Sequence, residues 1–291
     1  MANLKEIRTR ITSVNSTRQI TSAMKMVAAA KLRKAQNAII QMRPYADKLH
    51  NILDDIISST DISESNIYAQ NRKVERVLIV VISSNRGLCG AFNSNAVKKA
   101  IELIHHKYGN LYETGNLDVI TIGKKAKDIF KAKNINVLES HDDIFDDLNF
   151  ENSSAIAKSV MGRFTDKTYD EVRLVYNEFK NVAVQLLASD KFLPIEIEKS
   201  ESKNQHDYIF EPNKIEITDK LVPYALKIRF YKAILESYAS EHGARMTAMH
   251  MATDNATDML RELKLKYNKA RQASITNEIL EIVSGAEALK S

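Results

Sequence analysis

The residues that could do chemistry lie mainly in one short stretch, Ser83–Gly90 (SSNRGLCG), between a predicted strand and a predicted helix. Phosphate-binding loops occupy this position in many α/β proteins, because the backbone N–H groups at a helix N-terminus attract anions. The stretch contains only Gly87 and Gly90, and it matches neither G-x-G-x-x-G nor G-x-x-x-x-G-K-S/T. We therefore favour a structural turn or a partner contact over nucleotide binding at this loop.

The other reactive side chains form no recognisable catalytic or metal-binding set. Cys89 is the single cysteine of the sequence, and a lone cysteine more often fills space in a core than acts as a nucleophile. His242 and His250 are eight residues apart, which is not the i, i+4 spacing of a metal-binding pair on a helix. A cluster of aspartates lacks the glycine and the terminal glutamate of a calcium loop: Asp142, Asp143, Asp146 and Asp147. We predict no catalytic site, no metal site and no cofactor.

The longest pattern that could position anything lies at the amino terminus. From Leu4 to Ile56, positions spaced alternately three and four apart are apolar except at Arg18, Thr21 and Lys25. A seam of period 3.5 that continues over this length predicts a coiled-coil helix. Such a helix would be roughly 80 Å long, so it needs an equally long partner. Pro44 lies inside the seam and predicts a bend or a break in the helix.

The partner is predicted at the other end of the chain. The same spacing from Tyr224 to Leu263 is apolar except at His242 and Arg245, and the helix is expected to continue to Ile282. Two terminal helices with a domain between them pair most simply as an antiparallel coiled coil. As a register hypothesis, we assume that the polar interruptions of the two seams face each other. The numbers of two facing residues then sum to roughly 260–270. In this register, residues beyond about Arg271 have no partner in their own chain.

The middle of the chain alternates between strand and helix patterns. Strands are predicted at Val77–Ser83, Asp118–Ile122, Ile135–Leu138, Val172–Phe179 and Val182–Ser189, and helices at Asn95–Tyr108, from Gly123 to Lys133 and at Ser153–Thr165. This alternation predicts a mainly parallel sheet with an antiparallel edge. The predicted fold class is therefore an α/β head domain plus a long antiparallel two-helix coiled coil. Its predicted divisions are 1–57 for the first helix, 75–195 for the α/β domain, 196–220 for a connection and 221–287 for the last helix.

Charge is unevenly distributed along the sequence. Residues 1–50 carry ten basic and two acidic side chains, a net charge of +8, which favours an acidic partner surface. A nucleic-acid-binding coiled coil is an alternative, but residues 221–291 are nearly neutral and offer no matching basic face. Because no apolar run reaches about 18 residues and the amino terminus has no apolar signal region, we expect a soluble protein that stays in the cytoplasm.

Four motifs resemble one family, the gamma subunits of rotary (F-type) ATP synthases. They are ITSAMKMVAAAKLRKAQ (Ile20–Gln36), SSNRGLCGAFN (Ser83–Asn93), RMTAMHMATDNA (Arg245–Ala256) and YNKARQASITNEILEIVSGAEAL (Tyr267–Leu289). The resemblance covers essentially the whole chain. It implies a non-catalytic rotor subunit whose coiled coil inserts into a ring of alpha and beta subunits, with the α/β domain against the epsilon subunit and the ring of c subunits. Proton flow would turn this shaft and change each beta subunit's catalytic site in turn.

The resemblance also implies which residues contact partners. Met24 and Lys25 belong to the SAMKM stretch near the acidic lever segment of the beta subunits, and Arg245 belongs to the RMTAM stretch opposite. Arg86 and Cys89 belong to the turn that faces the bottom of the ring. The family's position on a bacterial plasma membrane, peripheral and on the cytoplasmic side, is expected here because no import extension precedes the first residue.

A second group of implied contacts lies near the carboxyl terminus, in the ARQASITNE stretch that meets loops of the beta subunits: Arg271, Gln272, Thr276 and Glu278. The main alternative to the rotor is a nucleotide-binding α/β enzyme with coiled-coil arms. A phosphate ligand at Ser83–Gly90, or nucleotide affinity of the isolated chain, would favour that alternative.

Overall fold

The computed structural model describes residues 4–58, 66–182, 184–195 and 214–288. In chain order, the helices and strands are α1 (Leu4–Ser58), β1 (Val77–Ile82), α2 (Phe92–Glu102), α3 (Gly109–Glu113), β2 (Leu117–Ile122), α4 (Lys124–Ala132), β3 (Glu139–His141), α5 (Phe150–Thr165), β4 (Glu171–Phe179), β5 (Gln185–Leu193) and α6 (Lys214–Ala288). A π-helical turn, Leu103–Lys107, follows α2, and a 3-10 turn, Asp143–Phe145, follows β3. The chain divides into two compact units, residues 1–28 with 246–291 and residues 29–245.

The first unit is an antiparallel pair formed by the start of α1 and the last part of α6. Thr253 donates a hydrogen bond from Oγ1 to Thr21 Oγ1 at 2.8 Å, and Lys25 Nζ lies 3.3 Å from His250 Nδ1. The buried positions follow the predicted seams, except that Leu260 is buried and Met259 is exposed: Ile7, Thr21, Ala28, Met249, Ala256, Leu260 and Leu263. Antiparallel pairing of the terminal helices is therefore confirmed.

The register hypothesis is wrong for this unit. The contacts of Thr21 with Thr253 and of Lys25 with His250 give sums of 274 and 275, above the predicted 260–270 by about one helical turn. In the second unit the edge-to-face rings of Tyr45 and Tyr224 give 269, within the predicted range, whereas Arg43 and Glu236 give 279. The hypothesis assumed that Arg245 faces the first helix, but Arg245 bonds to the loop after β1 instead.

The second unit contains a five-stranded sheet of order β3-β2-β1-β4-β5. The pairs β1–β2, β1–β4 and β2–β3 are parallel, and β4–β5 is antiparallel, as the sequence predicts. Every residue of β1 is buried because helices cover both faces of the sheet. One face packs against α2 and α4 through a cluster that includes Val97 and Phe130, and the other against α5 and α6 through a cluster that includes Phe164 and Phe230.

Two strands differ from the prediction. The third strand is Glu139–His141 rather than Ile135–Leu138, because the Ile135 N–H closes the end of α4 by bonding to a carbonyl oxygen of that helix. The last strand is Gln185–Leu193 rather than Val182–Ser189. Asn181 and Val184 close a turn between the two strands: the Asn181 N–H bonds to the Val184 carbonyl oxygen, and the Val184 N–H bonds to the Asn181 side chain. Pairing of β5 with β4 therefore begins only after Val184.

The helices also differ at their ends. α1 continues through Pro44, so this proline does not break the helix. α6 begins at Lys214 rather than at 221, and Pro223 lies inside it. The buried side chains of Thr218 and Val222 provide packing for these added turns. α5 begins at Phe150 rather than Ser153 because the Asn149 side chain accepts a hydrogen bond from the third backbone N–H that follows it.

Some sequence predictions fall outside the described residues. Residues 59–65 lie between the predicted divisions 1–57 and 75–195, and most of the predicted connection at 196–220 lies within 196–213. The predicted division into 1–57, 75–195, 196–220 and 221–287 stays a prediction. Among the helices of the described ranges, no segment has the length and apolar character needed to cross a bilayer.

Candidate functional site

The loop Ser83–Gly90 is held from inside by side-chain hydrogen bonds at the carboxyl end of β1. Asn93, at the start of α2, accepts from the Ser84 N–H at 2.9 Å and donates from Nδ2 to Ser84 Oγ at 2.8 Å. Ser84 Oγ donates to the Arg86 carbonyl oxygen at 2.6 Å. Ser83 Oγ accepts from the Ala126 N–H at 2.9 Å and so ties the loop to α4. The loop is therefore an ordered turn.

Cys89 lies on the inner side of this loop, with 1% of its surface exposed. Asn93 donates to its sulfur at 3.2 Å, and the Ser84 hydroxyl lies 3.8 Å from it. Burial raises the pKa of the Cys89 thiol. The hydrogen bond with Ser84 and the charge of Arg245 act to lower this pKa, but they do not offset the effect of burial. A protonated, buried thiol is a poor nucleophile, so the geometry supports a packing role.

Arg245 of α6 bonds to the backbone of this loop. Its Nη2 donates to the carbonyl oxygens of Arg86 at 2.8 Å and of Gly87 at 3.2 Å, and its Nε reaches the latter at 3.3 Å. Its Nη1 pairs with Glu241 Oε1 at 2.5 Å. A phosphate-binding loop would present N–H groups at this position. Here the loop presents carbonyl oxygens to a cation, which speaks against the nucleotide-binding alternative.

Two further titratable groups surround this arginine. His242 Nδ1 lies 3.2 Å from Arg245 Nη1, and its ring meets Tyr238 edge to face at 4.5 Å between centroids. Burial, together with the positive charges of Arg245 and Lys31, lowers the pKa of His242 to about 3. Burial raises the pKa of Glu241 even though the guanidinium beside it acts in the opposite direction.

The predicted contact residues fall into three groups in the structure. Arg86, Cys89 and Arg245 come together at the loop after β1 in the second unit. Met24 and Lys25 lie on the helical pair of the first unit, where Lys25 contacts His250. The third group is exposed on the last part of α6 and consists of Arg271, Gln272, Thr276 and Glu278.

In this third group the side chains bond mainly to their own helix. Thr276 Oγ1 donates to the Gln272 carbonyl oxygen at 2.9 Å, and Ser274 Oγ donates to Glu278 Oε1 at 3.3 Å. Large apolar side chains are exposed on the same helical segment: Ile275, Ile279, Leu280, Ile282 and Val283. A contiguous exposed apolar surface of this kind is typical of a protein-binding segment.

Sequence reasoning missed several residues of the loop site. Glu241 could have been found, because it lies four residues before Arg245 on a predicted helix, the spacing of a helical ion pair. Asn93 belongs to the GLCGAFN motif, yet no local pattern indicates that it bonds back to Ser84. Within the described ranges, no three His, Cys, Asp or Glu side chains are grouped so that they could hold a metal ion.

The two long terminal helices pair with each other, and an α/β domain is inserted between them in sequence. This arrangement defines a class of coiled-coil subunits with an inserted domain. The chain belongs to the ATP synthase family, whose model matches residues 3–289. It is 57% identical to the ATP synthase gamma chain of Christiangramia forsetii, with 99% of both chains covered. It is 51% identical to the ATP synthase gamma chain of Cytophaga hutchinsonii over the whole of both chains.

Solved structures of the same family share the fold. A chain of the central stalk and c-ring of the Tetrahymena thermophila mitochondrial ATP synthase matches with a TM-score of 0.60 and 25% identity, covering 80% of this chain and 99% of that one. A rotor chain of the Euglena gracilis mitochondrial ATP synthase matches with a TM-score of 0.67 and 23% identity, covering 94% and 98%. These relatives confirm the predicted resemblance to gamma subunits and the predicted fold class.

Proposed function

We propose that this chain is the central-stalk rotor subunit of a proton-driven ATP synthase and has no active site of its own. It couples proton flow through the membrane sector to the conformational cycle of the catalytic beta subunits, and it regulates ATPase activity. The observation that carries this proposal is the full-length similarity to bacterial gamma chains, 57% identical over 99% of both chains.

The physical role of such a subunit is to bias conformations. A rotor changes the state of a beta subunit only if its contacts differ in free energy between the states of that subunit. A shift from 1:99 to 99:1 needs about 5.5 kcal/mol of differential contact energy. A few charged pairs and apolar contacts are sufficient for that, so no chemistry is required of this chain.

The proposed contacts lie on surfaces of suitable character. Arg271, Gln272, Thr276 and Glu278 are exposed, and the apolar side chains among them suit insertion into a surrounding sleeve formed by the alpha and beta subunits. Lys25 and the basic first helix suit the acidic lever of the beta subunits. We assign Met24, Arg86, Cys89 and Arg245 to the same coupling region. We retain the division into two helical segments, a head and a connection as part of the proposal.

The remaining partners are the epsilon subunit and the ring of c subunits, which the α/β domain would contact. Through them the chain is peripheral to a membrane-bound complex. We propose the cytoplasmic side of a bacterial plasma membrane for that complex, and the bacterial source of the similar gamma chains supports this proposal.

The test is reconstitution with the alpha and beta subunits. We expect ATP hydrolysis by the complex to require this chain, and we expect Arg271→Ala to lower the rate about fivefold or more, as loss of a desolvated interface charge does. Arg261→Ala, at an exposed position of the same helix, is the matched control and is expected to keep the wild-type rate. Migration of the chain independently of the alpha and beta subunits would refute the assignment.

A further inference from the structure

The carboxyl ends of β1 and β4 lie at the reversal of strand order, the position at which doubly wound α/β proteins bind ligands. Strand order reverses there, because β2 and β3 lie on one side of β1 and β4 lies on the other. In such sheets the ligand crevice opens at the reversal, between loops that leave the two strands in opposite directions. In this chain the loop Ser83–Gly90 leaves β1 at that point.

α6 occupies this crevice. Glu236 is 2% exposed. Its Oε2 accepts a hydrogen bond at 3.0 Å from the backbone N–H of Phe179, the last residue of β4. Ser240 Oγ donates to the Asn177 carbonyl oxygen at 3.1 Å. Gly243 also faces this end of β4, since an added Cβ would lie 3.5 Å from the Phe179 ring, an ordinary van der Waals distance. Polar and small residues on one face of α6 thus take the place of a ligand.

Arg245 continues this face and binds the β1 side of the crevice. It is 8% exposed, and it spans the carbonyl oxygens of Arg86 and Gly87 as a fork. A guanidinium reaches two acceptors at once in fixed geometry, which a lysine ammonium does not. The ion pair between Arg245 Nη1 and Glu241, one turn earlier on α6, holds the guanidinium in this orientation. The backbone of the loop is therefore fixed from inside the domain.

The outer side of the loop carries exposed side chains. Leu88 is 65% exposed and has φ of +61°, a left-handed backbone conformation that is costly for a residue other than glycine. Arg86 is also exposed, and its own carbonyl oxygen is one of the two acceptors of Arg245. The loop backbone is strained at Leu88 and anchored from inside, while the side chains of Leu88 and Arg86 are exposed. This arrangement presents the two side chains to a partner.

We propose that Arg245 is a positioning residue, which holds the Ser83–Gly90 loop so that Arg86 and Leu88 are presented to a protein partner. Arg245 acts through this loop and makes no contact of its own with another subunit. This inference rests on the proposed function, since the partner is a neighbouring subunit of the ATP synthase. It also changes the assignment of Arg245 from a coupling contact to a support of one.

The first test measures the loop in the assembled complex, with Cys89 as the reporter. Alkylation by N-ethylmaleimide is followed by the intact mass of this chain, which has one cysteine. We expect Arg245→Gln to be labelled about tenfold faster than wild type, because hydrogen bonds from a charged group to the loop are lost. Arg245→Lys is expected to give an intermediate rate, and Arg261→Gln to give the wild-type rate. Unchanged labelling of Arg245→Gln would refute the positioning role.

The second test measures coupling in membranes, as the ratio of ATP-driven proton pumping to ATP hydrolysis. Arg245→Gln and Leu88→Ala are both expected to lower this ratio severalfold, and only the former is expected to speed Cys89 labelling. If Arg245→Gln fails to assemble, Leu88→Ala decides alone: a wild-type ratio refutes the presentation of this loop to a partner. Failure of the proposed function is seen separately, as hydrolysis by the wild-type complex that does not require this chain.

Discussion

The buried histidine beside Arg245 gives a prediction with a calculable magnitude. His242 is 5% exposed, and its Nδ1 faces the Arg245 guanidinium at 3.2 Å. Because guanidinium nitrogens only donate, Nδ1 accepts and the proton of the neutral ring lies on Nε2. A second proton would place a buried imidazolium next to the charges of Arg245 and Lys31, and for this reason the pKa is lowered to about 3.

The sign of the pH dependence follows from proton linkage. His242 stays neutral in the folded chain, whereas in the unfolded chain it takes up a proton below its ordinary pKa of 6.5. Its contribution to stability is therefore fully present above pH 6.5 and is lost as the pH falls toward about 3. At about pH 5, 1.5 units below the unfolded pKa, the loss is about 2 kcal/mol.

The assay is urea unfolding of the full chain at about pH 7.5 and about pH 5. We compare wild type with His242→Asn, whose amide oxygen still accepts from Arg245 but which cannot titrate. The variant should lose about 2 kcal/mol less than wild type between the two pH values, because its lost contact with Tyr238 is the same at both. His250→Asn, at an exposed position of α6, is the control for loss of a histidine. Equal losses in His242→Asn and wild type, or a His242 resonance that titrates near 6.5 by NMR, would refute the reasoning.

Four further substitutions test how the helices and the sheet are held. Glu236→Ala should lower the free energy of unfolding by about 1–3 kcal/mol in urea titration, because it leaves the partly buried Phe179 N–H without its acceptor. Arg43→Ala, at the half-exposed end of the same ion pair, should cost less than about 1 kcal/mol. Gly123→Ala should lower the melting temperature by several degrees, since Gly123 has φ of +99° and an added Cβ would overlap a carbonyl oxygen at the end of β1. Gly162→Ala, inside α5 with open space around it, should instead raise the free energy of unfolding by about 0.5–1 kcal/mol, because alanine lowers the backbone entropy of the unfolded chain. A lower free energy of unfolding in Gly162→Ala would contradict this reasoning.

The paired terminal helices could be predicted because their signal is local and repeated. Each turn of α1 and of α6 carries its own apolar position, so a single interruption does not hide the pattern. Register has no such redundancy. The register prediction rests on the polar interruptions, and two of these do not face each other: Thr21 bonds to Thr253, whereas Arg245 bonds to carbonyl oxygens far away in sequence. A side chain recruited by a distant loop carries no information about the facing helix.

Short elements were less predictable for a related reason. β3 has three residues, Glu139–His141, all only partly buried, so no apolar alternation marks it. The sequence predicts a strand at the apolar Ile135 instead, but Ile135 packs at the end of α4. In the same way α6 begins at Lys214 although Pro223 follows, because packing of the added turns outweighs the single N–H that the proline removes.

The loop site shows why a fold does not determine what its crevice binds. The position after β1 is the one that gives N–H groups to phosphates in other α/β proteins, but the orientation of the Arg86 and Gly87 peptides directs their carbonyl oxygens inward. Peptide orientation thus decides the sign of the charge that the loop accepts, and side-chain patterns in the sequence do not report it. Once carbonyl oxygens line the crevice, a cation carried by the chain itself is the fitting occupant, and Arg245 supplies it. The favourable interactions that a ligand would make in an enzyme here fasten α6 to the sheet, which is the connection a subunit that transmits torque requires.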